Sequence, residues 1–302
     1  MLKVIKYILL PVTCSAVFGC QPNHSASDID RMVSELTEKA VLDQVFIEGG
    51  TFVMGDFGAV QNGQWLPYFP PAAAEDIAHE VTVSSFSLSK YETTWGDFDL
   101  FSIETGRPVV LRSRGEEIKR APFEQNVGQS YYEKKPARVS WQEAKDYCLW
   151  LAEKTNLAFD LPTSAQWEFA ARNRGSKEWL YPTHDGQLSA GYEASNMDGC
   201  VTWTRVCPVG QQFPANPLGL YDMAGNIEEW VNDWYSDTYY QGSHGAKDPL
   251  GPPEGQLKET RGHGLGSLDF SFTRAPTVLV SQEGFLTAAG FRCVVHRSKP
   301  IR

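Results

Sequence analysis

Two carboxylates, Asp222 and Glu229, flank the turn Met223-Ala224-Gly225-Asn226 inside the stretch NPLGLYDMAGNIEEWVNDWY, residues 216–235. Gly225 and Asn226 are residue types that tolerate left-handed backbone, so carbonyl oxygens can be turned inward here. Carboxylate and backbone oxygens gathered in this way suit a hard cation such as Ca²⁺, which takes ~6–8 oxygen ligands. No general calcium-loop pattern is met, and spacing alone leaves open a plain Gly-Asn turn with solvated acids. Other chemistries find less support. The six histidines (24, 79, 184, 244, 263, 296) show no H-x-x-H or H-x-x-x-H spacing. Ser140 and Ser164 read as helix-start residues, and no nucleophile elbow is present.

The elements around that turn are legible in part. Ser140 with Glu143 forms a capping box, in which each side chain satisfies a free N–H at a helix start. Behind it Ala144, Tyr147, Cys148, Leu151 and Ala152 fall on one apolar stripe. Thr163 with Gln166 opens a second helix that runs to about Gly175. Thr94 with Asp97 opens a third, which stops near Gly106. Residues 81–88, VTVSSFSL, read as one strand, and FIEGGTFVMGD (46–56) as a strand interrupted at Gly49-Gly50. Ile29, Met32, Val33, Leu36, Ala40 and Leu42 make a roughly helical pattern with Ser27 as its cap. That segment is either a docking helix or a stalk. After Gly175 the chain is rich in Gly, Pro, Asn and aromatics, with few long periodic runs.

Several of these segments, in order, resemble the formylglycine-generating (sulfatase-modifying factor) family. GLYDMAGNIEEWVNDWY is similar to its signature. FIEGGTFVMGD, HEVTVSSFSLSKYETTWGDF (79–98), PARVSWQEAKDYCLWL (136–151), LPTSAQWEFAAR (161–172), PVG (208–210), a degenerate RGHG (261–264) and GFRC (290–293) complete the series. The resemblance runs from about Val45 to Val295. It implies an α+β fold of low regular secondary structure, distantly similar to C-type lectins, as one domain. It also implies that Asp222, Gly225, Ile227 and Glu229 bind a structural Ca²⁺, the middle two through their carbonyls. A second family calcium site would begin at Asn196 and Met197. No acid stands in the shortened loop Val201–Val206, which leaves Asp198 as the substitute.

The family's reaction oxidises a substrate cysteine to formylglycine with O₂ and a Cu(I) ion held by two thiolates. Soft thiolates suit Cu(I) and oxygen ligands do not replace them. Those cysteines belong between the RGGS-like segment and the family's following Arg. Here Arg261 to Arg274 contains none, so no copper is expected. A related branch, the sulfoxide synthases, holds iron with three histidines, mostly from an extra N-terminal helical domain for which the segment before Val45 is too short. His263, in the strand of the old active site, reads as a polar residue filling vacated space.

MLKVIKYILLPVTCSAVFGC begins with a basic region (Lys3, Lys6) followed by an apolar stretch too short to span a bilayer, for which about 20 residues are needed. Its end, Val17-Phe18-Gly19-Cys20, resembles a bacterial lipobox. Lipidation of Cys20 is expected, and Gln21 after it favours outer-membrane retention. The expected organisation is a signal peptide over 1–19, a lipidated tether with a short helix over 20–44, and the domain over 45–302. In an oxidising compartment the four remaining cysteines, 148, 200, 207 and 293, can pair in three ways. The resemblance implies Cys148–Cys293, which leaves Cys200 and Cys207 to each other.

The net charge of −10 falls to −12 without the leader and its two lysines, and no basic run opposes it. Nucleic acid is excluded on that ground. The reading that follows is a non-catalytic lipoprotein facing the periplasm, with another protein as partner. Lipoproteins carrying this domain resemble accessory or immunity components of secretion systems, type VI in particular. Long loops at 57–78, 107–135 and 236–258 would frame the recognition surface. The alternatives are a metal-dependent oxidase of the formylglycine-generating type and a calcium-dependent glycan binder.

Overall fold

A computed structural model describes residues 25–58, 60–66, 74–113, 116–126, 128, 131–187, 206–211, 214–262, 275–278 and 287–301. The leader with Cys20, the second site at Asn196 to Asp198, Cys200 and the stretch from His263 to Arg274 lie outside them.

Helix α1 (Ala26–Leu42) opens the described chain. Its cap is Ser25, two residues before the expected Ser27. The Ser25 side chain accepts the N–H of Asp28, and the Asp28 carboxylate accepts the N–H of Ser25. Val33 and Leu36 are buried in the same apolar cluster as Trp95, Tyr147 and Trp150, so the helix docks rather than standing as a stalk. Lys39 fixes its end, 3.2 Å from Asp43 and 3.8 Å from Asp97.

Strands β1 (Gln44–Ile47) and β2 (Gly50–Met54) follow, broken where expected. A Cβ on Gly49 would lie 2.3 Å from the carbonyl oxygen of Val83, so only glycine fits. Two short hairpins, β3 (Val60–Gln61) with β4 (Gln64–Trp65) and later β7 (Val110–Ser113) with β8 (Glu116–Lys119), decorate the domain. The single strand expected over 81–88 is two, β5 (His79–Val83) and β6 (Phe86–Ser89). The break has a local cause. Asp248 takes both the N–H and the hydroxyl of Ser84, at 2.6 and 2.7 Å, and Ser85 accepts the N–H of Gly49. Side chain–backbone bonds of this kind compete with a strand ladder.

The three boxed helices are all present: α2 (Trp95–Glu104), α3 (Trp141–Thr155) and α4 (Ser164–Ala171), capped by Thr94, Ser140 and Thr163. Of the predicted α3 stripe, Ala144, Tyr147, Cys148 and Leu151 are buried. Strands β9 (Phe159–Asp160) and β13 (Val294–Val295) complete a four-stranded antiparallel sheet in the order β1-β6-β13-β9. A second sheet of three contains β10 (Glu229–Trp234), β11 (Leu257–Arg261) and β12 (Ala275–Val278). Two apolar clusters fill the single α+β domain. One joins α1, α2 and α3 through Trp95, Phe98, Phe101, Tyr147, Trp150 and Phe291. The other joins α4 to β2, β5 and β6 through Phe52, Val81, Phe86, Trp167 and Phe169. Aromatic rings in the first sit at centroid distances such as 5.4 Å for Tyr147 and Phe291, within the range that adds to simple burial.

Cys148 and Cys293 form a disulfide that ties α3 to the segment entering β13, across a sequence separation of 145. Cys207 is also disulfide-bonded. By the chain-entropy argument, closing a loop as long as 148–293 stabilises by about 4–5 kcal/mol. A Cys148→Ala/Cys293→Ala variant is therefore expected to lose several kcal/mol in denaturant unfolding. An unfolding midpoint equal to the parent's would show that the bridge constrains nothing.

Candidate functional site

The turn after Tyr221 adopts the left-handed backbone its residue types allow: φ is 55° at Asp222, 80° at Gly225 and 52° at Asn226. The whole segment is buried. Asp222 Oδ2 accepts the N–H of Gly210 at 2.6 Å, and Gly225 N–H donates to the carbonyl of Gly262 at 2.9 Å. Asn226 Oδ1 accepts the N–H of Cys207 at 2.8 Å, while its amide group donates to Glu92 Oε2 at 2.7 Å. Gly290 must be glycine here, since a Cβ would lie 2.4 Å from Ile227 Cγ2. Asp222, Gly225, Ile227 and Glu229 thus share one curled, enclosed segment.

Glu229 is at the centre of this arrangement. Arg292, wholly buried, reaches it with Nε 3.0 and 2.8 Å from the two carboxylate oxygens and Nη2 2.6 Å from Oε1. Trp167 Nε1 donates to Glu229 Oε2 at 3.0 Å. Arg292 also donates to the carbonyl of Tyr221 at 2.9 Å. Glu92 completes the group. Burial first, then the neighbouring Asp222 and Glu229, push its carboxyl well above the usual range, against Arg292 and Asn226. Its Oε1 is buried and accepts no hydrogen bond. Three carboxyl groups therefore crowd one guanidinium, and the raised carboxyl of Glu92 is the sign of that crowding, which a bound cation would relieve. Each oxygen of Glu229 already accepts two of these bonds, Oε1 from Nε and Nη2 of Arg292 and Oε2 from Arg292 Nε and Trp167 Nε1, so a cation bound here would take the place of a donor. Among the described residues no three His, Cys, Asp or Glu groups converge as a ready metal cage. The expected set contains only two carboxylates, the remainder being carbonyls.

The sequence did not point to Glu92, Arg292 or Trp167 as parts of this centre, and it marked Asn226 for its backbone but not for its bond to Glu92. Glu92 stands beside the α2 cap in KYETTW and carries no spacing signal. Arg292 lies within GFRC, where the cysteine draws the eye.

A second buried network begins at Arg261, the arginine of RGHG. It pairs with Glu168, which also binds Arg172 at 2.8 Å and the N–H of Gly55 at 2.9 Å. Beside it Ser164 bridges two buried acids. Its N–H donates to Asp233 at 2.8 Å and its hydroxyl donates to Glu259. Burial, then the Glu259 charge, raise Asp233 to about 7, against Ser164, Lys258 and Arg261. Lys258 lies between the rings of Trp141 and Trp234, 3.8 and 3.9 Å from their centroids, and burial lowers its amine to about 8.

A carboxyl whose folded pKa is about 7 against an ordinary 3.8 holds a proton that the unfolded chain releases. Stability then falls as pH rises from about 4 to about 7 and levels off above. Asp233→Asn keeps an acceptor for Ser164 without the charge. Its thermal midpoint is expected to vary less across that window and to exceed the parent's at pH 8. Parallel pH profiles for the two proteins would contradict the assignment.

Comparison with known proteins fits this geometry. Residues 30–297 match the sulfatase-modifying factor enzyme 1-like domain. Serine/threonine-protein kinase Pkn1 of Chlamydia trachomatis is 30% identical over 258 residues, covering 83% of this chain and 38% of Pkn1. The chain thus spans well under half the length of that relative. The formylglycine-generating enzyme of Streptomyces coelicolor is 28% identical over 262 residues, covering 72% of this chain and 77% of the enzyme. Among solved structures, PvdO from Pseudomonas aeruginosa is similar with a TM-score of 0.62 and 25% identity, over 84% of this chain and 94% of PvdO. With its ordered motifs and this fold, the chain belongs to the sulfatase-modifying factor enzyme 1-like, or formylglycine-generating enzyme, family.

Proposed function

We propose that this protein is a catalytically silent member of its family, lipid-anchored through Cys20 at the periplasmic side of the bacterial outer membrane, that works by binding another protein. The observation that carries this reading is the make-up of Arg261 to Arg274, which has no cysteine. Copper held by two thiolates needs two free sulfurs. Cys148 and Cys293 are joined to each other and Cys207 is disulfide-bonded. Of the other three, Cys14 leaves with the leader, Cys20 carries lipid and Cys200 is the expected partner of Cys207. A secretion-system accessory or immunity role suits such a protein, because a groove relieved of its chemistry remains a shaped surface.

The test uses the purified chain with a CxPxR peptide, together with its copper and iron content. No loss of peptide thiol and no stoichiometric redox metal are expected. Turnover abolished by a chelator of redox metals would overturn the reading in favour of an oxidase. Pull-down from envelope extracts is expected to recover one stable protein partner, lost when residues 263–274 are replaced with Arg261 and its buried pair left intact. Recovery of glycan rather than protein would favour the lectin-like alternative.

A structural Ca²⁺ belongs to the same proposal, held by Asp222 and Glu229 with the carbonyls of Gly225 and Ile227. It would relieve the crowding of the Glu92, Asp222 and Glu229 carboxyl groups. Chelation by EDTA is expected to lower the thermal midpoint and added Ca²⁺ to restore it. Asp222→Ala should abolish that calcium-dependent difference. A midpoint indifferent to EDTA in the parent protein would remove calcium from the account.

A further inference from the structure

A cleft of about 390 Å³ opens where four separate segments meet: the Ser84-Ser85 break, the start of α4, the loop through Leu250 and the residues after β13. Its size lies within the ~300–1,000 Å³ of small-ligand sites. None of its lining residues belongs to the Asp222–Glu229 turn or to the stretch that lacks cysteines.

The one acid that lines it, Asp248, is committed through both oxygens to Ser84. The cation that lines it is not committed: Arg297 makes no hydrogen bond or ion pair with the described residues. The histidine can be assigned from its partner. Gln166 Oε1 accepts the N–H of Thr163 at 3.0 Å, so the other end of that amide, 3.3 Å from His296 Nδ1, is a donor. Nδ1 is then the acceptor, and His296 is a neutral ring with its proton on Nε2. Burial, the larger cause, and Lys145 hold this imidazole below its ordinary range, against Asp160 and Asp248. Leu250, 67% exposed, supplies an apolar wall. The cleft therefore offers the permanent positive charge of Arg297, N–H donors and an apolar flank, while Asp248 keeps its charge and has both oxygens turned to Ser84.

A guanidinium fork matches the paired oxygens of a carboxylate or phosphate, and a small apolar body could lie against Leu250. We propose that this cleft binds a small organic oxyanion, a carboxylate or phosphate monoester, with Arg297 as the charge partner and Leu250 against its apolar body. The site is independent of the protein-binding reading, since it uses neither residues 261–274 nor the calcium turn.

Calorimetric titration of the full chain with benzoate and with phenyl phosphate tests it. Inorganic phosphate and neutral benzamide serve as controls. Saturable binding of at least one organic anion is expected, and the tighter of the two identifies the headgroup. Benzamide should not bind. Arg297→Ala, with an unchanged circular dichroism spectrum, should weaken binding by roughly tenfold or more, and Arg297→Lys by less. Leu250→Ser should weaken the organic anions and leave the spectrum unchanged. Failure of both organic anions to saturate at millimolar concentration would overturn the proposal. So would equal affinity in Arg297→Ala, or binding of inorganic phosphate alone.

Discussion

Burying a guanidinium against a carboxylate stabilises a fold only when the geometry is good and the remaining donors are used. Arg292 and Glu229 meet both conditions. Three contacts of 2.6–3.0 Å join them, and Arg292 spends further donors on the carbonyls of Tyr221, Ser89 and Lys90. Three stretches distant in sequence therefore meet on one side chain: the GFRC segment, the end of β6, and the turn segment from Tyr221 to the start of β10. Trp167 adds α4 through its bond to Glu229. Removing one partner from a pair of this kind costs about 3–5 kcal/mol, because the other is left charged and buried. The left-handed turn, the small sheets and the α4 packing all take their places around that pair.

What could be read from the sequence follows the range of the interaction. The Thr94, Ser140 and Thr163 boxes act over three residues, and all three helices start where those residues place them. Ser25 competes with Ser27 for the same role, and the position of Asp28 three residues on decides it. The strand over 81–88 is misjudged because its break is imposed by Asp248, 164 residues further along the chain from Ser84. Glu92 is missed for the same reason. Its identity as part of the buried centre depends on Asn226, which lies 134 residues away. The turn itself was legible, since Gly225 and Asn226 declare their backbone preference locally, whereas the arginine beneath it was not.

The second half of the chain shows how a domain with little regular structure is held. Short strands present few ladder bonds, so side chains must satisfy backbone groups that helices and sheets would otherwise engage. Asn216 accepts from Leu218 and Leu220, Asn226 pairs with the backbone of Cys207, and Glu168 takes the N–H of Gly55. Each such residue acts as a local fastener between loops. The long 148–293 bridge adds a constraint on the unfolded chain that the sparse ladders do not supply.

These fasteners are placed so that frame and chemistry separate. Arg292, Glu229, Trp167, Glu168 and Arg261 all precede or follow the stretch from 263 to 274, and their bonds are made to one another and to backbone outside it. Substituting the residues within that stretch removes none of these named contacts. The frame therefore does not depend on the composition of that stretch, which is why membership of the family fixes the fold and not the activity. The deciding feature is the composition of fourteen consecutive residues, Arg261 to Arg274, which contain hydroxyls, one histidine and one aspartate but no sulfur. A soft cuprous ion finds no thiolate there, whatever backbone carries those side chains.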